Sequence, residues 1–362
     1  MKLTPHQTDA LDRIVHSLTN DSSFILGGYA GTGKTVLISE LVPILTEKRH
    51  KVRIVAPTGK AAAVLRSKGI NATTIHRLCY ELVSTKPLTF EKIPKLDCDI
   101  VICDESSMIP LDIYEDLVSY NIPILFVGDP GQLEPVGKDP KLMNNPDFTL
   151  SEVHRQALDN PIIAFATFLR ENPWELAFRF PNNFPDSRLH IHRGIFDQTT
   201  LTDYDQIIVG TNKTRVTYNN KVRSLLHYKS PNPQPGERLI CLSNSRRHKL
   251  FNGLQITVGS HGYNSSASEL HILRDGELFD PDFEPEIIPI NPASLNVEKF
   301  SPDFSVRDFR VPFDYAYAIT CHKSQGSEWP KVLVIDQAFG DPPNRWRYTA
   351  ATRARHGLTW IC

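Results

Sequence analysis

Six cysteines are spread over 362 residues, at positions 79, 98, 103, 241, 321 and 362, and no two form a CxxC pair. A zinc ribbon or a disulfide framework is therefore not expected, and free thiols in a reducing compartment are. The alternation His190-x-His192 has no second ligand pair at zinc-site spacing, so it carries no metal assignment. No stretch approaches the roughly 18 apolar residues that a membrane span needs. The amino terminus, MKLTPHQTDALDRI, lacks the apolar run of a signal peptide. The expected location is the cytoplasm, or the host cytoplasm for a viral protein, with no membrane partner. Excess charge of either sign is also missing, since 40 Lys and Arg face 41 Asp and Glu. Near-neutrality neither supports nor excludes nucleic acid, because a binding groove needs only local positive charge. Internal repeats and low-complexity tracts are absent as well.

The length gives a prior of about two to three domains. The first half alternates short, β-rich apolar runs with helical segments. Phe24–Gly27, Val52–Ala56, Ile100–Cys103 and Ile122–Val127 are continuous in apolar character, as strands buried on both faces of a parallel sheet are. Lys34–Glu47 has helical spacing, with Pro43 as a candidate kink. A βαβ series of this kind predicts an α/β layered fold. From Ile207 the pattern resumes with Ile207–Thr211, Val216–His227, Lys331–Ile335 and Leu358–Ile361. Between them, Arg238–Leu242, Leu254–Val258 and Glu269–Leu273 are short alternating segments divided by Asn-Gly, Asp-Gly and Pro-rich turns, as in a small β-barrel.

The strongest chemical signal is Gly28-Tyr-Ala30-Gly31-Thr32-Gly33-Lys34-Thr35, directly after a strand and opening a helix. It matches the GxxxxGK[ST] phosphate loop in its required context. Glycines let backbone N–H groups approach the phosphates, and the helix amino terminus favours anions. Lys34 suits the β- and γ-phosphates of ATP, and the Thr35 hydroxyl suits Mg²⁺. Val101-Ile-Cys-Asp104-Glu105 ends a strand in two carboxylates, predicting Asp104 as a Mg²⁺ ligand and Glu105 as the base for water. In Gly128-Asp-Pro-Gly-Gln132, the glutamine is placed to report the γ-phosphate. Asn212-Lys213 hints at a guanine motif, but Arg215 stands where the aspartate belongs.

In this order the motifs resemble those of superfamily 1 helicases, specifically the RecD-like and phage Dda-like subclass B. The resemblance runs from Leu3 to the last strand. Leu3-Thr-Pro-His-Gln7 looks like the Q motif, in which Gln7 would read the adenine edge. Gly28–Thr35 matches motif I, and Ala56-Pro57-Thr58-Gly-Lys60 and Thr73-Thr74-Ile-His76 resemble motifs Ia and Ib, which touch single-stranded DNA in the family. Asp104-Glu105 corresponds to motif II and Gly128–Gln132 to motif III. Glu152-Val-His-Arg155 resembles motif IV with its catalytic arginine. Ile319–Glu328, with His322, Lys323, Gly326 and Glu328, resembles motif V. Tyr348–Arg355 looks like motif VI, with Arg353 as the second arginine finger. Arginines contributed by a second lobe would make hydrolysis depend on lobe closure.

The resemblance implies an α/β fold of two RecA-like P-loop lobes with parallel sheets. The first lobe would span 1–153, with a short pin insertion at about 77–98. The second would span 154–236 and 310–362, interrupted by a β-rich, SH3-like insertion at 237–309. The implied activity is an ATP- and Mg²⁺-dependent DNA helicase moving 5′ to 3′. Its DNA contacts would be Pro57, Thr58, Lys60, Thr74, His76, Asn212, His322 and Lys323, on single strands and at junctions with duplex. The pin segment is short, with Phe90 as its candidate wedge, so translocation is better supported than strand separation. Tyr80, Phe90 and Trp329 are the candidates for stacking bases, each equally suited to the core. The cluster Arg246-Arg247-His-Lys249 reads as a solvated turn or a DNA contact. An RNA helicase and a nucleoprotein remodeller without unwinding are the alternatives, because phosphate contacts do not discriminate sugars. A compact core acting as a monomer is expected, with replication or recombination partners and a viral origin in keeping with the phage-like resemblance.

Overall fold

The computed structural model describes residues 3–85, 88–152, 160–175, 177–181, 187–245, 248, 250–273, 286–299, 310–340 and 342–362. Its two units are Met1–Ile163 and Ala164–Cys362. Unit 1 begins with α1 (Pro5–Thr19), β1 (Phe24–Gly28), α2 (Lys34–Glu47), β2 (Val52–Ala56), α3 (Gly59–Ser67), β3 (Ala72–Thr74) and α4 (Ile75–Cys79). It continues with β4 (Tyr80–Thr85), β5 (Leu88–Lys92), β6 (Ile100–Cys103), α5 (Leu111–Val118), β7 (Ile124–Gly128) and β8 (Phe148–Leu150).

Six of these strands form one parallel sheet in the order β3-β2-β6-β7-β1-β8. Alternate residues of the central strands enter two separate cores. Ile100, Ile102, Leu125 and Val127 join α1, α2 and α3 on one face. Val101, Cys103, Ile124 and Phe126 join α4 and α5 on the other. With both faces covered, a polar residue on either would be buried unpaired, which is why these runs are continuously apolar. Pro43 lies inside α2 without ending it. β4 and β5 pair antiparallel as a separate two-stranded hairpin within the expected pin segment.

Helix α6 (Pro161–Glu171) leads into unit 2, followed by β9 (Leu189–His192), β10 (Gln206–Val209), α7 (Asn212–Leu225), β11 (Arg238–Cys241), β12 (Gln255–Asn264) and β13 (Glu269–Leu273). Then come β14 (Glu286–Asn291), β15 (Val311–Tyr315), β16 (Ala318–Thr320), α8 (Cys321–Ser324), β17 (Trp329–Ile335), α9 (Asn344–Ala351) and β18 (Ala354–Ile361). Its sheet, also parallel, has the order β16-β10-β17-β18-β9. Strands β11 to β15 form a closed five-stranded barrel. Leu239, Cys241, Ile256, Val258, Leu270, Ile272, Ile288, Ile290 and Phe313 fill it at the two-residue period of strands.

The barrel's chain extends further than residue 309. It closes through β15, antiparallel to β11 and parallel to β14, so Val311–Tyr315 belongs to the barrel and not to the flanking sheet. Two buried ion pairs tie α7 to it. Arg223 donates to both carboxylate oxygens of Glu237, at 2.6 and 3.1 Å, with its guanidinium 4.1 Å from the Tyr315 ring centre. Arg215 pairs with Asp314 and donates to Asn212 Oδ1 at 3.2 Å. The arginine that replaces a guanine-reading aspartate is thus a structural tether. His190 and His192 lie on β9, both exposed, and no cluster of three or more His, Cys, Asp or Glu side chains suited to a metal occurs among the described residues.

Candidate nucleotide site and nucleic-acid contacts

The register of unit 1 brings three strand ends level. Cys103 lies opposite Phe126, and Gly128 opposite Gly27, so the residues after β6, β7 and β1 emerge side by side. In an open parallel sheet that carboxyl edge is where ligands bind. Gly31 and Gly33 take φ values of 78° and 83°, a region that residues with a Cβ rarely occupy, and this turn swings the chain from β1 into α2. The loop is curled around its own lysine. Lys34 Nζ donates to Gly28 O at 2.6 Å and Tyr29 O at 3.1 Å, and Thr32 Oγ1 donates to Tyr29 O at 2.8 Å. A Cβ on Gly28 would come within 3.0 Å of both Lys34 Cγ and Thr32 Oγ1.

Gln7 is buried against the loop. Its Nε2 donates to Thr32 O at 3.0 Å, while its Oε1 accepts from Thr4 N and its own N–H donates to Thr4 Oγ1. The Thr4–Gln7 pair is a capping box that starts α1, so the amide joins the helix start to the phosphate loop.

Asp104 follows β6, its backbone N–H donating to Val55 O at 2.9 Å. Burial raises its carboxyl pKa, opposed by the Glu105 backbone N–H and the charge of Lys34. Glu105 turns the chain with φ 52°. Thr35 sits in the first turn of α2, and its hydroxyl with the Asp104 carboxylate is an oxygen donor set of the hard kind that Mg²⁺ takes.

Asp129 is a site residue that sequence reasoning did not single out. It is 1% exposed, 4.0 Å from Lys34 Nζ, and accepts from Gly131 N at 2.9 Å and Gln132 Nε2 at 3.4 Å. The signal was an acid at the end of a fully apolar strand, where only a charged neighbour makes burial tolerable. Gln132 is 6% exposed, and its Oε1 has no hydrogen-bond partner among the described residues. A buried amide oxygen in that state is an acceptor awaiting a donor.

The candidate nucleic-acid residues sit at the carboxyl edge of their own sheets. Pro57 and Thr58 follow β2, Thr74 ends β3, Asn212 follows β10, and His322 and Lys323 follow β16. Several are less open than loop residues would be. Thr58 and Thr74 cap α3 and α4, accepting from Ala61 N and Arg77 N. Lys60 is buried in α3. His76 packs on Tyr80 with ring centres 5.4 Å apart and planes tilted by 32°, and burial lowers its pKa, with Asp112 opposing. Lys323 Nζ donates to Asn252 Oδ1 at 2.7 Å.

The stacking candidates differ in exposure, and Tyr80 is half-buried. Trp329 is 9% exposed and donates to Gln255, and the Tyr80 hydroxyl is held by Asp116. The side chain of Phe90, on β5, lies outside the described residues, as do Arg155 and Arg246, Arg247 and Lys249. In unit 2, Gly326 takes φ 69° and Glu328 pairs with Arg355 at 3.0 Å. Arg353 is 4% exposed and donates to Thr349 O, Ser327 O and Thr352 Oγ1 at 2.9, 3.2 and 2.9 Å.

Residues 2–183 match the family described as an AAA domain, and residues 315–361 match the UvrD-like helicase C-terminal domain. The ATP-dependent RecD2 DNA helicase of Deinococcus radiodurans is 27% identical, over 98% of this chain and 48% of that protein. The ATP-dependent DNA helicase Pif1 of Campylobacter jejuni is 25% identical, over 96% of this chain and 90% of that protein. A solved structure of Pif1 helicase from Bacteroides with ADP-AlF3 and ssDNA matches with a TM-score of 0.60, covering 99% of this chain and 92% of that one. At 18% identity the structural likeness speaks for the fold, which is that of the two-lobe RecA-like helicases. The chain spans about half the length of the RecD2 relative and about a quarter of the RecD subunits of Buchnera aphidicola.

Proposed function

We propose that the chain, which belongs to the AAA-domain family matched by half of its length, is a superfamily 1B helicase of the RecD- and Pif1-like kind that hydrolyses ATP to move 5′ to 3′ along single-stranded DNA and open duplex at junctions. It would act in the cytoplasm as a monomer.

The observation that carries the reading is the assembly of Lys34, Asp104, Asp129 and Gln132 at the level ends of β1, β6 and β7. Lys34 would exchange the carbonyls of Gly28 and Tyr29 for phosphate oxygens, and the amides of Gly28–Thr35 would cradle the phosphates. Asp104 and Thr35 would hold Mg²⁺, which supplies charge neutralisation between the phosphates. Glu105 is assigned as the base. Gln132, fixed through Nε2 by Asp129, would use Oε1 to accept from the attacking water. Gln7 is assigned to the adenine edge, Arg155 and Arg353 to the charge developing on the γ-phosphoryl oxygens, and Gly326 and Glu328 to the nucleotide. Along the DNA track, the capped amino termini of α3 and α7 offer phosphates a favourable dipole beside Thr58 and Asn212.

Glu105→Gln is expected to retain ATP binding and lose turnover by about 10²–10⁴-fold. Single-turnover phosphate release checks this, and unchanged turnover removes Glu105 from the role of base. The activity itself is tested by ATP turnover with poly-dT, with poly-U and without polymer, beside strand separation on matched 5′- and 3′-tailed duplexes. Stimulation by poly-dT with unwinding of the 5′-tailed duplex alone is the expected result. Stimulation without unwinding leaves a translocase, a preference for poly-U an RNA motor, and no stimulation an ATPase only.

A further inference from the structure

At the carboxyl edge of the unit 2 sheet, β16, β10 and β17 are neighbours and end beside one another. β16 runs into His322 and Lys323, β10 into Thr211 and Asn212, and β17 into residues 336–340. This last segment is braced from several sides. Gln337 accepts from Gly210 N at 3.1 Å and donates to Thr214 Oγ1 at 2.8 Å. Asp336 accepts from Arg347 Nε at 3.0 Å, Trp360 Nε1 at 3.2 Å and Ala338 N at 3.2 Å. The backbones also approach closely, since a Cβ on Gly210 would lie 2.6 Å from Gln337 O.

The residue presented on this bracket is Phe339. It is 44% exposed, although a large aromatic ring gains most from complete burial. It is parallel to His322, with ring centres 5.6 Å apart and planes 17° from one another. Trp346 backs it at 6.4 Å, and Trp346 packs in turn on Trp360. Burial lowers the His322 pKa and so favours the uncharged imidazole, which stacks on one face of the Phe339 ring. A partly exposed aromatic ring that follows a hydrogen-bonded bracket and sits beside His322, at the sheet edge that also carries Asn212 and Lys323, has the make-up of a base-stacking platform.

We propose that Phe339 stacks a nucleobase of the single strand whose phosphates lie along Asn212, His322 and Lys323. The inference rests on the single-strand motor reading and adds to it a contact with bases that the phosphate contacts do not provide. Stacking of this kind is tolerant of sequence, because every base has a π-face.

The test compares binding of labelled oligo-dT and of an abasic strand of equal length by fluorescence anisotropy. The wild-type chain is expected to prefer oligo-dT by about tenfold. Phe339→Ala and Phe339→Leu should lose that preference while keeping the affinity for the abasic strand, and Phe339→Trp should keep both. Phe339→Leu retains apolar bulk, and its melting temperature shows that the bracket is intact. Preference retained in both Ala and Leu variants, or an equal loss on both strands, overturns the stacking role. Wild-type binding to neither strand overturns the single-strand reading itself, and is recognisable because no variant is needed to see it.

Discussion

Lys34→Ala is expected to reduce ATP turnover to background, a loss of at least about 10³-fold. The ammonium is anchored by Gly28 O and Tyr29 O and lies 4.0 Å from the Asp129 carboxylate. It therefore already lies in the loop, and binding would exchange those two carbonyls for phosphate oxygens. Removing it takes away the ammonium beside the buried Asp129 carboxylate, and with it the charge that would attract the phosphates. Phosphate release by the purified variant, beside nucleotide binding and thermal melting, separates lost chemistry from lost fold. Turnover at the wild-type rate would remove the phosphate-loop assignment.

Arg353→Ala should cost on the order of 10³-fold in turnover, and Arg353→Lys should rescue little of it. The guanidinium donates to Thr349 O, Ser327 O and Thr352 Oγ1, three acceptors around a fixed planar fork that an ammonium cannot match. Those acceptors are buried, so the alanine variant also carries a stability loss of about 1–3 kcal/mol for a group left unsatisfied. Turnover must be measured well below the variant's melting temperature. A decrease under about tenfold there would make Arg353 a residue that holds motifs V and VI together and does nothing more.

The long buried strands were legible because both their faces are covered. Ile100–Cys103 sends alternate residues into two cores, which leaves an unbroken apolar run as its mark. The phosphate loop was equally plain, since its glycines, lysine and threonine answer to backbone and charge requirements that few other structures impose. Edge strands were not legible. β3 and β8 have three residues each, too few to show a period, and are defined by the neighbour they pair with. The start of α1 is written in Thr4-x-x-Gln7 as a capping box, whose Gln7 is also the residue that the family resemblance assigns to the adenine edge. Asp129 and Phe339 were missed because their importance lies in which distant residues they meet, Lys34 in one case and His322 in the other. Trp329 shows the converse, a plausible stacking residue whose indole is consumed by Gln255.

The position of β18 bears on how the chain acquires its shape during synthesis. Among the described residues β9 has one neighbour in its sheet, β18, which is translated roughly 160 residues later, or about 8–30 s at ordinary elongation rates. Unit 1 has all six strands of its sheet once Leu150 has emerged from the ribosome. For the interval that follows, β9 has no partner to pair with, and its edge is open to chaperones or to the same segment of a neighbouring nascent chain. A pause in translation before Ala354 would lengthen that exposure, so the abundance of folded protein should depend on codon choice there more than in the first 150 codons.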